Sequence, residues 1–244
     1  MKWGYPFQPV HLVTMVIAVV LMVGVYFLLR ILPERVRYGC LIGLSFLGIV
    51  AIVFNLVRWG SPLEYLPFHM CSITAILLPI AVISKNRIVG NLLVVWCLGS
   101  LLALIFPTAV QAEYEILSDA FFIFYIPHIF EFAVTVYLFL FGYIKKDFKT
   151  IPTTLGITVG IYTLVHFINV GLTHYSEQAG LELSFNYMFS MESPGNPVLD
   201  IFWKVIPCAY WYMYLAVVIL AVYLVVLYLP QIIRAVKEKK ASVK

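Results

Sequence analysis

Charged residues are scarce in this sequence. Only 16 Lys and Arg and 12 Asp and Glu occur among 244 residues, while 63% of the residues are hydrophobic. An average soluble domain carries roughly 25% charged residues. The shortage of charge excludes an ordinary soluble domain and favours an integral membrane protein. It also argues against nucleic acid as a partner, because the basic residues stand in short clusters between apolar runs and indicate membrane topology.

Motifs for disulfides and for metal ions are also missing from the sequence. The four cysteines (Cys40, Cys71, Cys97 and Cys208) form no CxxC pair, and the five histidines form no HxxxH or HExxH pattern. We therefore predict no cofactor. The sequence contains neither a visible repeat nor a linker, so residues 1–244 are expected to form one domain.

Long apolar stretches dominate what is present. A helix needs about 20 apolar residues to cross a bilayer. Seven stretches meet this requirement, and they cover residues 11–31, 38–57, 63–83, 88–106, 120–144, 152–172 and 206–229. The sequence thus predicts an all-α polytopic membrane protein with seven transmembrane helices. The connection 173–205 is long and aromatic, which is typical of an interfacial anchor or of a loop that covers a site.

The distribution of basic residues predicts the orientation of these helices. Thirteen of the 16 Lys and Arg residues fall in alternate loops and in the C-terminal tail. Because cytoplasmic loops are enriched in Lys and Arg, the C-terminus is expected in the cytoplasm and the N-terminus outside.

Three histidines are predicted to share one depth in the outer half of the membrane. His69, His128 and His166 each lie roughly 10–12 Å below the outer end of a predicted helix at 1.5 Å per residue. His11 lies a little higher in the first helix. Ionisable groups inside transmembrane helices are costly and usually functional, so this coincidence predicts a site.

Two polar residues and one thiol accompany these histidines. Glu131 follows His128 by three residues, and Asn169 follows His166 by three, so each pair shares a helical face. Cys71 follows His69 by only two, which places the two on nearly opposite sides of a regular helix. Either Pro67 marks an irregularity there, or Cys71 finds its base on another helix, as His128 or His166.

The chain also resembles the YwaF-type family of bacterial integral membrane proteins over almost its whole length. The motifs that carry this resemblance are "PFQPVHLV", "LPFHMCSIT", "ALIFPTAV", "FFIFYIPH" and "NYMF…ESPGNPVLD". The family is grouped with an animal transmembrane protein described as a cysteine-dependent acyltransferase that makes ether phospholipids. The resemblance implies a location in the bacterial plasma membrane and a role of Cys71 as acyl acceptor. Positions that recur in the family are matched by His11, His69, His128, Asn186 and Tyr187.

Two departures from the family pattern are visible. Met70 separates His69 from Cys71, whereas the animal protein has the two residues adjacent. The expected "WPWY" near the last helix is replaced by "IPCAYWY". The first departure bears on the role that the resemblance implies for Cys71, and the second on the expected shape of the outer mouth of the site.

The leading functional hypothesis is an acyltransferase acting on phospholipid or lysophospholipid in the outer half of the membrane. Cys71 would carry the acyl group as a thioester, and His69 or His128 would act as base and later as acid. Glu131 would orient His128. His166 is a further catalytic candidate, and His11 and Tyr187 are candidates for substrate binding. Asn169 or Asn186 could donate to an oxyanion.

Two alternatives remain at this point. Three histidines and a carboxylate would suit a zinc-dependent intramembrane lipid hydrolase, whose metal usually has three protein ligands and a water. Polar residues at one depth could also line the site of a lipid or small-molecule transporter or of a binding protein.

Overall fold

The computed structural model describes residues 1–58 and 62–242, and these residues fold mostly as helices. The α-helices are α1 Pro9–Ile31, α2 Glu34–Ser45, α3 Leu47–Arg58, α4 Met70–Ser84, α5 Arg87–Ile105, α6 Ala109–Ala112, α7 Asp119–Leu140, α8 Ile151–Ala179, α9 Pro197–Val205 and α10 Tyr214–Ser242. Short 3₁₀ turns lie at Pro62–Tyr65, Phe148–Thr150, Tyr187–Phe189 and Trp211–Met213. The prediction of an all-α fold is confirmed.

Six helical segments of the described residues are long and apolar enough to cross a membrane. They are Pro9–Ile31, Glu34–Arg58, Arg87–Ile105, Asp119–Leu140, Phe148–Ala179 and Trp211–Ala241. The predicted third span, residues 63–83, is an α-helix only from Met70 and is correspondingly short. The number of seven crossings and the orientation stay predictions.

Several boundaries differ from those read off hydropathy. The second span is interrupted at Phe46, where α2 gives way to α3. The predicted loop 173–205 is wrong at its start, because α8 continues to Ala179 and ends only where Gly180 adopts a left-handed φ of 64°. The last helix, α10, begins at Tyr214. Hydropathy does not register these ends. Apolar residues continue through the break at Phe46 and the turns before Tyr214, whereas the last turns of α8 are helical but polar.

Helices α5 and α7 form the centre of the bundle. About 56% of the apolar window of α5 and 61% of that of α7 is buried, against 22% or less for the other long segments. Helix α7 packs against α3, α4 and α5, while α8 and α10 pack against each other on the far side of α5. Polar residues on α5 and α7 are therefore enclosed by protein.

The short helix α4 places its N-terminus inside the bundle. Its 15 residues are about 22 Å long, which is less than the roughly 30 Å of a hydrocarbon core. The sulfur of Met70 lies over Gly99 of α5, 3.3 Å from where a Cβ would stand. Gly99 is six residues from the end of α5, or about 9 Å below it. The start of α4 thus lies well below the adjacent helix end.

Candidate functional site

The candidate site is built around the start of α4. His69 precedes the helix and has an extended backbone, with φ −71° and ψ 151°. The N–H of Phe68 donates to the carbonyl of Leu66 at 2.7 Å, which marks a tight turn around Pro67. Of the two arrangements considered for His69 and Cys71, the local irregularity is therefore present. Because His69 lies outside the helix, the opposite directions expected of a regular helix do not apply.

Cys71 lies in the first turn of α4, where backbone amides are free of intrahelical partners. The backbone N–H groups of Cys71 and Ser72 belong to this first turn, next to the Cys71 side chain. The side chain of His69, at the N-cap, does not bond to these amides. Donors of this kind oppose the cost of burying a thiolate, as at other helix N-termini.

Glu131 on α7 lies close enough to Cys71 for their charges to interact. Its carboxyl group is buried and accepts a 2.5 Å hydrogen bond from the hydroxyl of Ser100 on α5. The other oxygen lies 2.9 Å from where a Cβ of Gly48 would stand, so only glycine leaves room for the carboxyl group there. Ser100 and Gly48 were missed by sequence reasoning, and a single serine within an apolar helix was the one available signal.

His128 lies one turn before Glu131 and has one free ring nitrogen. Its Nδ1 is 2.6 Å from the carbonyl oxygen of Phe124, so Nδ1 carries the proton and donates. The buried Nε2 then bears the lone pair, and it has no partner among the described residues. The carbonyl of Phe124, rather than Glu131, therefore orients this ring. Pro127 directly precedes His128 inside α7 and loosens the helix at this turn.

His69 and His128 lie close enough for their charges to interact, so the structure brings these two histidines together. The ring of His69 also meets residues 186–190 of the long connection. Its Nδ1 accepts a long, 3.4 Å hydrogen bond from the backbone N–H of Met188. The rings of Tyr187 and Phe189 each lie 5.3 Å from the imidazole, centroid to centroid. Residues 186–190 thus cover the site from one side.

His166 lies on the other side of this covering segment. Its Nδ1 is 3.1 Å from the hydroxyl of Ser190, and its ring lies 4.9 Å from that of Tyr210. Residues 186–190 therefore separate His166 from the pair formed by His69 and His128. A shared depth could not reveal this, because depth along a helix does not specify which neighbour the residue faces.

Asn169 anchors the covering segment to α8. Its amide donates to the carbonyl of Tyr187 at 2.8 Å and to the hydroxyl of Ser190 at 2.9 Å, and its oxygen accepts from the N–H of Tyr187 at 3.0 Å. Asn186 is similarly engaged, because its oxygen accepts from the N–H of Met191 and its amide donates to the carbonyl of Glu192. Both side chains therefore support the loop.

Tyr187 fastens the segment at a second point. Its hydroxyl donates to the carbonyl of Leu63, just before α4. Burial raises the pKa of Tyr187 to about 12, so the phenol keeps its proton and this bond at physiological pH. The segment is thus tied both to α8 and to the connection that leads into α4.

We expect Asn169→Ala to loosen this covering segment without unfolding the bundle. The substitution removes three hydrogen bonds, each contributing about 1 kcal/mol, so the free energy of local opening should fall by roughly 2–3 kcal/mol. Hydrogen exchange of residues 183–192 measures this change. Gln178→Ala, which removes only an exposed contact with His174, is the control. Unchanged protection of residues 183–192 in Asn169→Ala would contradict the anchoring role.

His11 lies at the edge of the site rather than in it. Its Nε2 donates to the carbonyl of Leu104 at 2.9 Å, and its buried Nδ1 has no partner among the described residues. The rings of Trp3 and Phe124 lie between His11 and His128. The ring centroids are 5.5 Å apart for His11 and Trp3, 5.8 Å for Trp3 and Phe124, and 4.2 Å for Phe124 and His128. A direct contact of His11 with the reacting groups would need these rings to move.

Within residues 1–58 and 62–242, His, Cys, Asp and Glu side chains form no group of three or more that could hold a metal ion. Comparisons with curated proteins and with solved structures find no match. The model of the TMEM164 family matches residues 6–228, which is nearly the whole chain. The chain therefore belongs to the TMEM164 family of membrane proteins.

Proposed function

We propose that this protein is a membrane-embedded lipid acyltransferase in which Cys71 carries the acyl group as a thioester. The observation that supports the proposal most directly is the position of Cys71. It lies in the first turn of α4, where backbone amides are free, and close enough to the buried carboxyl group of Glu131 for their charges to interact. One turn before Glu131 on α7, the Nε2 of His128 has no partner among the described residues. A nucleophile, a base and charge-stabilising donors are the components that acyl transfer needs.

In the first half-reaction, Nε2 of His128 takes the proton of the Cys71 thiol, and the sulfur attacks the ester carbon of a phospholipid. The oxyanion that forms is stabilised by the backbone amides at the start of α4. Asn169 cannot take this role, because both hydrogens of its amide already donate to Tyr187 and Ser190. The ester C–O bond then breaks, and the departing oxygen receives the proton from His128. The products are the thioester of Cys71 and a lysophospholipid.

In the second half-reaction, a hydroxyl group of an acceptor lysophospholipid gives its proton to His128 and attacks the thioester carbon. The C–S bond breaks, and the sulfur takes the proton back. An anionic Glu131 would oppose a thiolate on Cys71, because the two charges have the same sign. We therefore assign a proton to Glu131 in the reactive state, consistent with its enclosure.

Location and substrate follow from the same proposal. We infer that the chain is a YwaF-type bacterial member of its family, in the plasma membrane, with the site in the outer half of the bilayer. Phospholipid and lysophospholipid are then the acyl donor and acceptor. A substrate that enters from the membrane would approach between helices, beneath the segment 186–190.

The intact mass of the purified protein after incubation with a diacyl phospholipid tests the proposal. We expect a gain equal to one acyl group, removed by neutral hydroxylamine as a thioester is, and mapped to Cys71 rather than to Cys40, Cys97 or Cys208. A dialkyl ether analogue, which has no transferable acyl group, is the control and should give no gain. An unchanged mass with the diacyl lipid would contradict the thioester step.

Other outcomes would support the alternative functions. Bound zinc that is lost when the histidines are replaced would support the hydrolase, and transport without a covalent product would support the transporter.

A further inference from the structure

A crevice separates α1 from α7 below the site. Two tyrosines of α7 bridge this gap at different levels, since Tyr125 donates to the carbonyl of Thr14 and Tyr137 donates to the carbonyl of Met22. Both tyrosines are buried. Because each phenol reaches a backbone carbonyl of α1, the two side chains act as spacers that keep the helices apart.

The crevice lies around the second of these tyrosines, Tyr137, and has a volume of about 400 Å³, within the usual range of ligand sites. Its lining includes Met22, Val23, Tyr26, Phe132, Val136 and Leu140. It extends over nine residues of each helix, or about 12 Å from the first to the last. Val23 and Phe27 are about half exposed, at 49% and 54%, so the crevice is open to the side. Its walls are hydrocarbon and aromatic rings.

The crevice continues the face of α7 that carries His128. Phe132, Val136 and Leu140 follow His128 at intervals of four residues, so these side chains form one row along the helix. Phe132, at the near end of the crevice, lies about 6 Å further along the helix axis than His128. A ligand that fills the crevice therefore has one end next to the site.

We propose that this crevice binds the fatty acyl chain of a membrane lipid, with the ester end towards His128 and the methyl end towards Leu140. A hydrocarbon chain is the ligand that such walls favour, because a polar group there would lose its hydrogen bonds to water without replacement. The crevice also opens sideways between two helices long enough to span the membrane, where acyl chains surround the protein. The direction of the bound acyl chain, with its ester end towards His128, rests on the proposed function. The binding of an acyl chain in the crevice does not.

Photoreactive phospholipids test this inference in reconstituted bilayers. One probe carries a diazirine at the methyl end of an acyl chain, and a second carries it next to the ester. We expect the first probe to label the far end of the crevice, around Phe27 and Leu140, and the second to label its near end, around Val19 and Phe132. Equal labelling of α8 and α10 would indicate only the surrounding lipid and would overturn the inference. A contact between two copies of α1 that fills the crevice would also overturn it.

Two valines of α1 provide a matched pair of variants. Val23 lines the crevice, whereas Val20 is 63% exposed and lies outside its lining. Val23→Trp should lower labelling of the crevice about tenfold, because a bulky side chain overfills the site. Val20→Trp should leave the labelling unchanged, and equal labelling of both variants would refute the assignment. Cys71→Ala should keep the labelling pattern, so a failure of acyl transfer is distinguishable from a failure of chain binding.

Discussion

Cys71→Ala is expected to abolish acyl transfer between lipids while the helical bundle remains folded. The substitution removes the sulfur that is proposed to form the thioester, and few packing contacts are lost because Cys71 is partly exposed. Transfer of a labelled chain from phospholipid to lysophospholipid in proteoliposomes measures the effect. The Cys71→Ala variant should also show no gain in mass on incubation with a diacyl lipid.

Cys97→Ala is the matched control for this prediction. Cys97 is a buried thiol of the adjacent helix α5, and its sulfur contacts the carbonyl of Val94 at 3.5 Å. We expect that variant to retain transfer, with stability lowered at most by the loss of packing. Cys71→Ser provides a further comparison, because it keeps the size of the side chain and supplies a weaker nucleophile. Wild-type transfer by Cys71→Ala would rule out a covalent role for this thiol.

His128→Asn is expected to slow transfer by about 10²- to 10⁴-fold, the usual contribution of a general base. The asparagine amide occupies the place of Nδ1 and can still donate to the carbonyl of Phe124, while the lone pair of Nε2 is removed. The variant therefore tests the base with little change in packing. Initial rates of chain transfer, measured across the pH range, give the size of the effect.

A second measurement separates a role in proton transfer from a structural one. The rate at which a membrane-permeant alkylating reagent modifies Cys71 reports directly on thiol activation, and it should fall in His128→Asn. His174→Asn, at an exposed position of α8, should change neither rate. If Cys71 in the His128→Asn variant is alkylated at the wild-type rate and the variant transfers acyl chains at the wild-type rate, the base must be another residue. His69 is then the next candidate.

The helical spans were largely accessible to prediction, because insertion into a bilayer depends on summed apolar length. Six of the seven predicted stretches correspond to helical segments long enough to span. Most of their ends differ from the predicted ones by up to about two turns, and the C-terminal end of the last segment by about three. The exception is the stretch 63–83, where an apolar sequence conceals a non-helical start. Pro67 and the pair His69 and Cys71 were the signals that regular structure fails there.

Within the site, spacing predicted single helical faces but not partners on other helices. The face shared by His128 and Glu131 follows from their separation of three residues. The bond of His128 to Phe124 and that of Glu131 to Ser100 do not, since an imidazole or a carboxyl group can bond to any donor or acceptor in reach. His166 illustrates the same limit, because its depth is compatible with the site although Ser190 and Tyr210 are its neighbours.

Composition and the run lengths of apolar residues were enough to establish an all-helical membrane protein, because transfer of a helix into lipid is governed by local, additive free energies. Packing among distant parts of the chain decides three further features. These are the rotation of each helix about its axis, the irregular segment that precedes α4, and the position of residues 186–190 across His69. Those long-range contacts bring Glu131 within electrostatic reach of Cys71 and His128 within reach of His69, and no periodicity within a single helix encodes them.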